Sequence, residues 1–242
     1  MPLIDLPARG IQGALNLVRR ATPSQALFEK SMIRGPRGEY YAFPRELPLD
    51  ERGGLQGIRD VVNAGIVKPI ERMPLGEVPA GKAQKGQNAA RLATSVLRGL
   101  PRQSYVDPGF DAIALKMHPT GVKADALAAL DSPETINEPG VAYLYDLAAA
   151  LDAPGAGEHL LDSILKGPLF PDADRIVFTP LEKARDFYQK RFGAEYMSPL
   201  DALSDGVIAK ILDSAGAQHL AEDLGVGIIR RAGGGLVQMR NG

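Results

Sequence analysis

The sequence predicts an α/β fold: a mixed sheet flanked by helices, preceded by a helical and extended N-terminal region. Three observations carry this. Residues 141–197 read in order as strand, glycine turn, helix, strand, helix and strand. Residues 110–117 place Phe110, Ala112, Ile113, Ala114, Leu115 and Met117 so close together that a central strand fits better than an edge one. Before residue 105, short helical patterns alternate with Pro- and Gly-rich stretches. The chain therefore divides into an N-terminal arm region (1–104), an α/β core (105–200) and a C-terminal helix with a glycine-rich tail (201–242).

Taken in order, residues 7–20 can form an amphipathic helix with Ile11, Leu15 and Val18 on one face and Arg19 and Arg20 at its end. Thr22 and Pro23 look like a helix start, Thr22 as cap and Pro23 in the first turn. Gly35 to Gly38 should turn the chain into a strand over 39–43, rich in Tyr and Phe. Residues 55–64 predict a helix that stops at Gly65. Residues 65–86, with Pro69, Pro74, Pro79 and four glycines, predict an irregular arm. A helix is expected over 87–97, closed by Gly99 and Pro101.

After the central strand, residues 123–130 are either a short helix or a returning strand, and their alanines favour helix. Residues 132–140 form a loop leading to the strand at 141–149. Asp152 to Gly157 breaks the chain with Pro154, Gly155 and Gly157, and Leu160, Leu161, Ile164 and Leu165 then recur at helical spacing. A strand at 175–178, a helix at 181–192, Gly193 as the left-handed residue past its end, and a strand at 194–197 complete the stretch. Residues 201–212 predict a helix and 219–224 a short turn. Two apolar pieces flank a hinge at Gly233, Gly234 and Gly235.

A strand entering a Gly-x-Gly turn before a helix has a chemical use as well as a steric one. The first helical amides lack partners within the helix and carry the positive end of its dipole, and glycine lets an anion approach them. This stretch resembles the second half of the GNAT N-acetyltransferase fold. The matching pieces are Asp152-x-x-Gly155-x-Gly157, the helix after it, the strand at 175–178, and the run Ala184-Arg-Asp-Phe187-Tyr188-Gln-Lys-Arg-Phe192-Gly193-Ala194. The resemblance covers about a quarter of the chain. It implies binding of acetyl-coenzyme A or another acyl-coenzyme A, with Gly155, Ala156 and Gly157 holding the pyrophosphate and Leu147 and Ala149 sharing the cofactor site. It also implies Tyr188 as the acid for the departing thiolate. Asp146, in the strand before the turn, is the acid placed to deprotonate an amine.

The turn departs from the family's pattern. Asp152 stands where the family has Arg or Gln, Pro154 has no N–H to give, and Glu158 adds a second negative charge. Two readings follow: an acyl-coenzyme A-dependent N-acyltransferase, or a non-enzymatic subunit of a large assembly, such as a phage virion, that uses the same fold as scaffold. The run 179–195 also looks like a helix of glyoxalase-type proteins, but no matching set of His and Glu ligands accompanies it.

Composition narrows the alternatives. There are no cysteines, so disulfides and thiolate chemistry are excluded. His118, His159 and His219 stand apart without metal-ligand spacing, so no metal is expected. No Gly-x-Ser-x-Gly occurs, and Gly81-Lys82 is followed by Ala83 rather than the Ser or Thr of a P-loop. No run reaches the length of a membrane span and the N-terminus lacks a secretory apolar core, so a cytoplasmic or virion-incorporated protein is expected. Residues 1–45 hold seven Lys and Arg against three acids, residues 224–242 hold three Arg and no acid, and the net charge of −1 leaves an acidic middle. Such ends point to a homo- or hetero-oligomer joined through basic termini and Pro/Gly-rich arms, with nucleic acid a weaker expectation.

Overall fold

The computed structural model describes residues 23–35, 37–44, 54–72, 80–99 and 110–231. The expected helix at 7–20, the Thr22 cap and the glycine hinge at 233–235 lie outside them. The N-terminal region contributes α1 (Pro23–Lys30), the hairpin β1 (Met32–Gly35) and β2 (Gly38–Pro44), α2 (Gly54–Val62), a π turn (Asn63–Val67), α3 (Lys68–Glu71) and α4 (Ala80–Gly99). Then follow β3 (Ala112–Met117), β4 (Ala124–Asp131), α5 (Pro133–Ile136), β5 (Val141–Ala149), α6 (Ala156–Lys166) and β6 (Arg175–Phe178). A 3-10 turn (Glu182–Ala184), α7 (Arg185–Phe192), β7 (Glu195–Met197), α8 (Pro199–Ser204), α9 (Gly206–Ser214), α10 (Gln218–Leu224) and β8 (Val226–Arg230) complete the described chain.

The eight strands form one sheet in the order β1-β2-β3-β4-β5-β6-β8-β7. Every neighbouring pair is antiparallel except β5 with β6. The fold class is thus a mixed sheet with helices on its faces, and the sheet draws strands from all three regions of the sequence. On one face, Ile58, Val62, Ile66, Ala93 and Val96 from the N-terminal helices pack on Ile113, Leu115 and Leu127. On the other, Leu160, Leu161 and Ile164 of α6 cover Ala114, Ala126, Ala128 and Ala142. Each of those three α6 side chains, buried, is worth roughly 1.5–3 kcal/mol, so α6 is fixed to the sheet and its first turn is fixed with it. Ile208, Ile211 and Leu212 of α9 cover Val141, Tyr143 and Val177.

Three expectations are corrected. Residues 124–131 are a strand, not a helix, and every residue of β4 is buried. Their alanines are small because helices press on both faces, and that packing overrides helix propensity. The helix over 55–64 does not stop at Gly65 but continues through the π turn into α3. In that turn Lys68 N–H donates to Asn63 O, five residues back, and the widened turn leads into Pro69, which has no N–H to give. Gly65 is there for closeness: a Cβ on it would stand 1.9 Å from Ala124 O. The irregular arm expected over 65–86 is helical at both ends, and α4 starts seven residues earlier than the expected 87. Smaller differences follow local caps: Asp205 accepts from Val207 N and Ile208 N, which splits the expected helix at 201–212 into α8 and α9.

Candidate functional site

The site forms where β5 and β6 part. Their parallel register runs from Val141↔Arg175 to Leu144↔Phe178 and ends there, because β6 stops while β5 runs on to Ala149. Beyond Leu144, β5 is paired only with β4. Ala150 N–H donates to Asp125 O at 2.8 Å. In an antiparallel ladder hydrogen-bonded residues alternate, so Ala148 and Asp146 bond to β4. Leu147 and Ala149 therefore turn their N–H and C=O groups the other way, into the notch. These two residues, expected at the cofactor site, expose backbone donors and acceptors there. Their side chains underlie the turn: a Cβ on Gly157 would lie 3.5 Å from Ala149 Cβ and 3.8 Å from Leu147 Cγ.

The turn delivers α6 to the mouth of this notch. Gly155 has φ 81°, a conformation that favours glycine, and a Cβ there would meet nothing within 4 Å. Of the three turn amides expected to act together, that of Ala156 already donates to Ala153 O at 3.2 Å. The amides of Gly155, Gly157 and Glu158 make no hydrogen bond among the described residues. Glu158 N–H is a donor that sequence reasoning missed, since only its carboxylate drew notice.

The two acids of the turn are both paired. Lys123 Nζ lies 2.5 Å from Asp152 Oδ2, and Arg191 Nε lies 3.5 Å from Glu158 Oε2. The hydrogen bond from Lys123 holds the Asp152 carboxyl below the usual carboxylate range. Lys123 sits 29 residues before Asp152 and Arg191 lies on α7, so neither pairing shows in the local sequence. The negative charge at the turn is offset from two sides, and the repulsion expected against an anion is correspondingly reduced.

Tyr188 and Asp146 stand near the same notch from opposite faces of the sheet. Tyr188 lies in an aromatic cluster, with ring centroids 4.5 Å from Phe178 and 5.1 Å from Phe187. Burial raises its hydroxyl well above the ordinary tyrosine value, with smaller contributions from Tyr196 and from the negative charge of Asp146. The hydroxyl is thus kept protonated, and it donates no hydrogen bond among the described residues. Asp146 pairs with Ala129 in the ladder. Burial pushes its carboxyl from 3.8 up to about 6, so at neutral pH it is ionised and basic enough to accept a proton. Among the described residues no group of His, Asp and Glu is arranged to hold a metal ion, and no helix is long and apolar enough to cross a membrane.

No family model and no curated protein matches the chain. Among solved structures, N-acetylglutamate synthase from Neisseria gonorrhoeae, complexed with coenzyme A and N-acetyl-glutamate, is similar at 16% identity and TM-score 0.39. The match covers 60% of this chain and 32% of the synthase, so this chain spans about a third of that protein's length. A protein from Desulfovibrio desulfuricans assigned to the GNAT acetyltransferase family is similar at 14% identity and TM-score 0.31, over 65% of this chain and 86% of that one. The strand, glycine turn, helix, parallel strand and Phe-Tyr helix that carry the sequence resemblance are realised as β5, residues 152–157, α6, β6 and α7, in that order around one notch.

Proposed function

We propose that this chain binds an acyl-coenzyme A in the β5–β6 notch and transfers its acyl group to an amine. One observation supports this most: β5 leaves the backbone of Leu147 and Ala149 unpaired next to the unengaged amides of Gly157 and Glu158. A pantetheine arm is amide-bearing and suits an unpaired strand edge, as a diphosphate suits helix N-terminal amides. The open space at Gly155, where an added Cβ would touch nothing, fits such a ligand too.

The bound thioester would supply an activated acyl carbonyl. Asp146 takes a proton from the attacking amine as its nitrogen forms the new amide bond. Tyr188 gives its hydroxyl proton to the sulfur as the carbon–sulfur bond breaks. The proton gained by Asp146 and the one lost by Tyr188 balance, so one proton passing from Asp146 to Tyr188 through solvent restores both groups. Each role suits the group: a carboxylate that titrates at about 6 is charged at pH 7, and a tyrosine raised by burial is neutral.

Pro154 and Asp152 favour a second reading, a scaffold subunit in which the turn is only structural. Titration calorimetry of acetyl-coenzyme A into the full chain separates the two, with Gly157→Glu as control. Micromolar binding that the variant loses supports the transferase and justifies a screen of amines. Heat changes absent even at millimolar ligand would leave the scaffold.

A further inference from the structure

A surface of different chemistry lies on the side of α4 turned away from the sheet. Residues 68–72 and 80–99 carry Lys68, Arg72, Lys82, Lys85, Arg91 and Arg98, all exposed, and Glu71 is the one acid among them. None of these six cations makes an ion pair among the described residues, whereas Lys123, Lys166, Lys190 and Lys210 are all paired. The helix that presents them is firmly seated. Ala93, Val96 and Leu97 are buried in the core, and Gly86 lies so close to α3 that a Cβ there would collide with Ile70. On the outward side, Gln84, Gln87, Arg91, Ser95 and Arg98 are exposed at spacings of three and four residues. This stripe runs about 21 Å along the helix axis. Beside Arg91 and Arg98 it borders a groove of about 470 Å³, with Val67 and Glu71 on the opposite wall.

The make-up of the stripe selects among anionic partners. Arg interleaved with Gln and Ser is the set of side chains that hydrogen-bond phosphate oxygens along a nucleic-acid backbone. A straight row of donors this long suits a linear polyanion better than a compact one. Among the described residues no large hydrophobic side chain is exposed on α3 or α4. That disfavours a protein interface, whose centre is apolar, and a lipid surface, which takes up an apolar helix face. The stripe also holds no aromatic ring on which unpaired bases could stack. We propose that α4 binds double-stranded nucleic acid through its phosphates. Arg91 and Arg98 make the principal contacts, Gln87 and Ser95 add donors, and base sequence is not read. Glu71, on the facing wall, opposes the contact. The net charge of the chain is −1, so attraction depends on how its charges are distributed rather than on their sum. The surface is separate from the β5–β6 notch, and the proposal stands whether or not the notch binds acyl-coenzyme A.

Fluorescence anisotropy of a short labelled DNA duplex of arbitrary sequence, titrated with the full chain over a range of salt, tests this. The logarithm of the affinity should fall linearly with the logarithm of the salt concentration. Arg91→Gln with Arg98→Gln should weaken binding by about tenfold or more at low salt and reduce that slope by about 2. Glu71→Gln should tighten binding, a gain that a folding defect does not produce. Lys190→Gln removes a cation already paired with Asp186 on α7, and it should change the affinity little. Absence of duplex binding at low salt overturns the proposal. So does an affinity that the double Arg variant leaves unchanged, or that Lys190→Gln lowers as much, since either assigns the contact to other cations. Tighter binding to a single strand, or to vesicles containing phosphatidylserine, than to the duplex overturns it as well.

Discussion

Asp146 and Tyr188 can be tested separately at the residue level, because one is defined by charge and the other by shape. Burial raises the Asp146 carboxyl from 3.8 to about 6, so the folded chain holds that proton more tightly than the unfolded chain does. Its favourable contribution is complete below pH 3.8 and is lost as the pH rises through about 6. Asp146→Asn should therefore leave urea stability little changed at pH 3.5 and raise it at pH 8 by up to about 2 kcal/mol. The same variant should lose acyl transfer, and the wild-type rate should climb through pH 6. Tyr188→Phe keeps the ring that packs on Phe178 and Phe187 and removes only a hydroxyl that donates no hydrogen bond among the described residues. Its stability should stay within about 1 kcal/mol of wild type while turnover falls by about 10²-fold. Equal turnover in the two proteins would return Tyr188 to a packing role. As candidates, Asp146 comes from its place in the strand before the turn and Tyr188 from the family resemblance of the Phe-Tyr helix. Their proton affinities are not legible in the sequence, because desolvation depends on what the rest of the chain lays over them.

The elements around the notch carry two further expectations. Gly65→Ala would drive a methyl into Ala124 O, a backbone atom of central strand β4 that cannot move aside cheaply. A loss of about 2 kcal/mol or more in equilibrium unfolding is expected, far beyond the ordinary gain of alanine over glycine in a helix. A neutral or stabilising result would mean that the π turn does not press on β4. Asp152→Arg tests the turn. The Lys123–Asp152 pair is half exposed at Asp152, so losing it should cost little stability. Reversing the charge beside the Gly157 and Glu158 amides should tighten acyl-coenzyme A binding measured by calorimetry. Unchanged affinity would place the anion elsewhere. The 123–130 segment shows why element type was only half legible here. Its alanines fit a helix taken alone, and only the helices covering both faces of β4 make a strand of small residues the better solution. The continuation through Gly65 was hidden for a related reason: glycine reads locally as a stop, whereas this one permits a close contact 59 residues along the chain.

For the whole molecule, the notch joins parts that are distant in sequence: β5 with the first turn of α6, α7 with its Tyr188, and the β3–β4 hairpin with Lys123. A ligand spanning them should protect them together. Acetyl-coenzyme A at 100 times its Kd is expected to stabilise the fold by about 2.7 kcal/mol and to slow amide exchange at Gly157, Glu158, Leu147 and Ala149, with no matching effect at α9. Protection spread evenly over α9 as well would indicate global tightening rather than occupancy of the notch. By itself the sequence determined the strand–turn–helix order over 141–197, the glycines of the turn and the lack of thiol chemistry, because each is written in spacing or composition. The tertiary structure decided that β6 stops before β5, that Lys123 and Arg191 offset the acids of the turn, and that β4 is a strand. Those outcomes depend on register and on contacts between residues far apart in the chain, which no local pattern encodes.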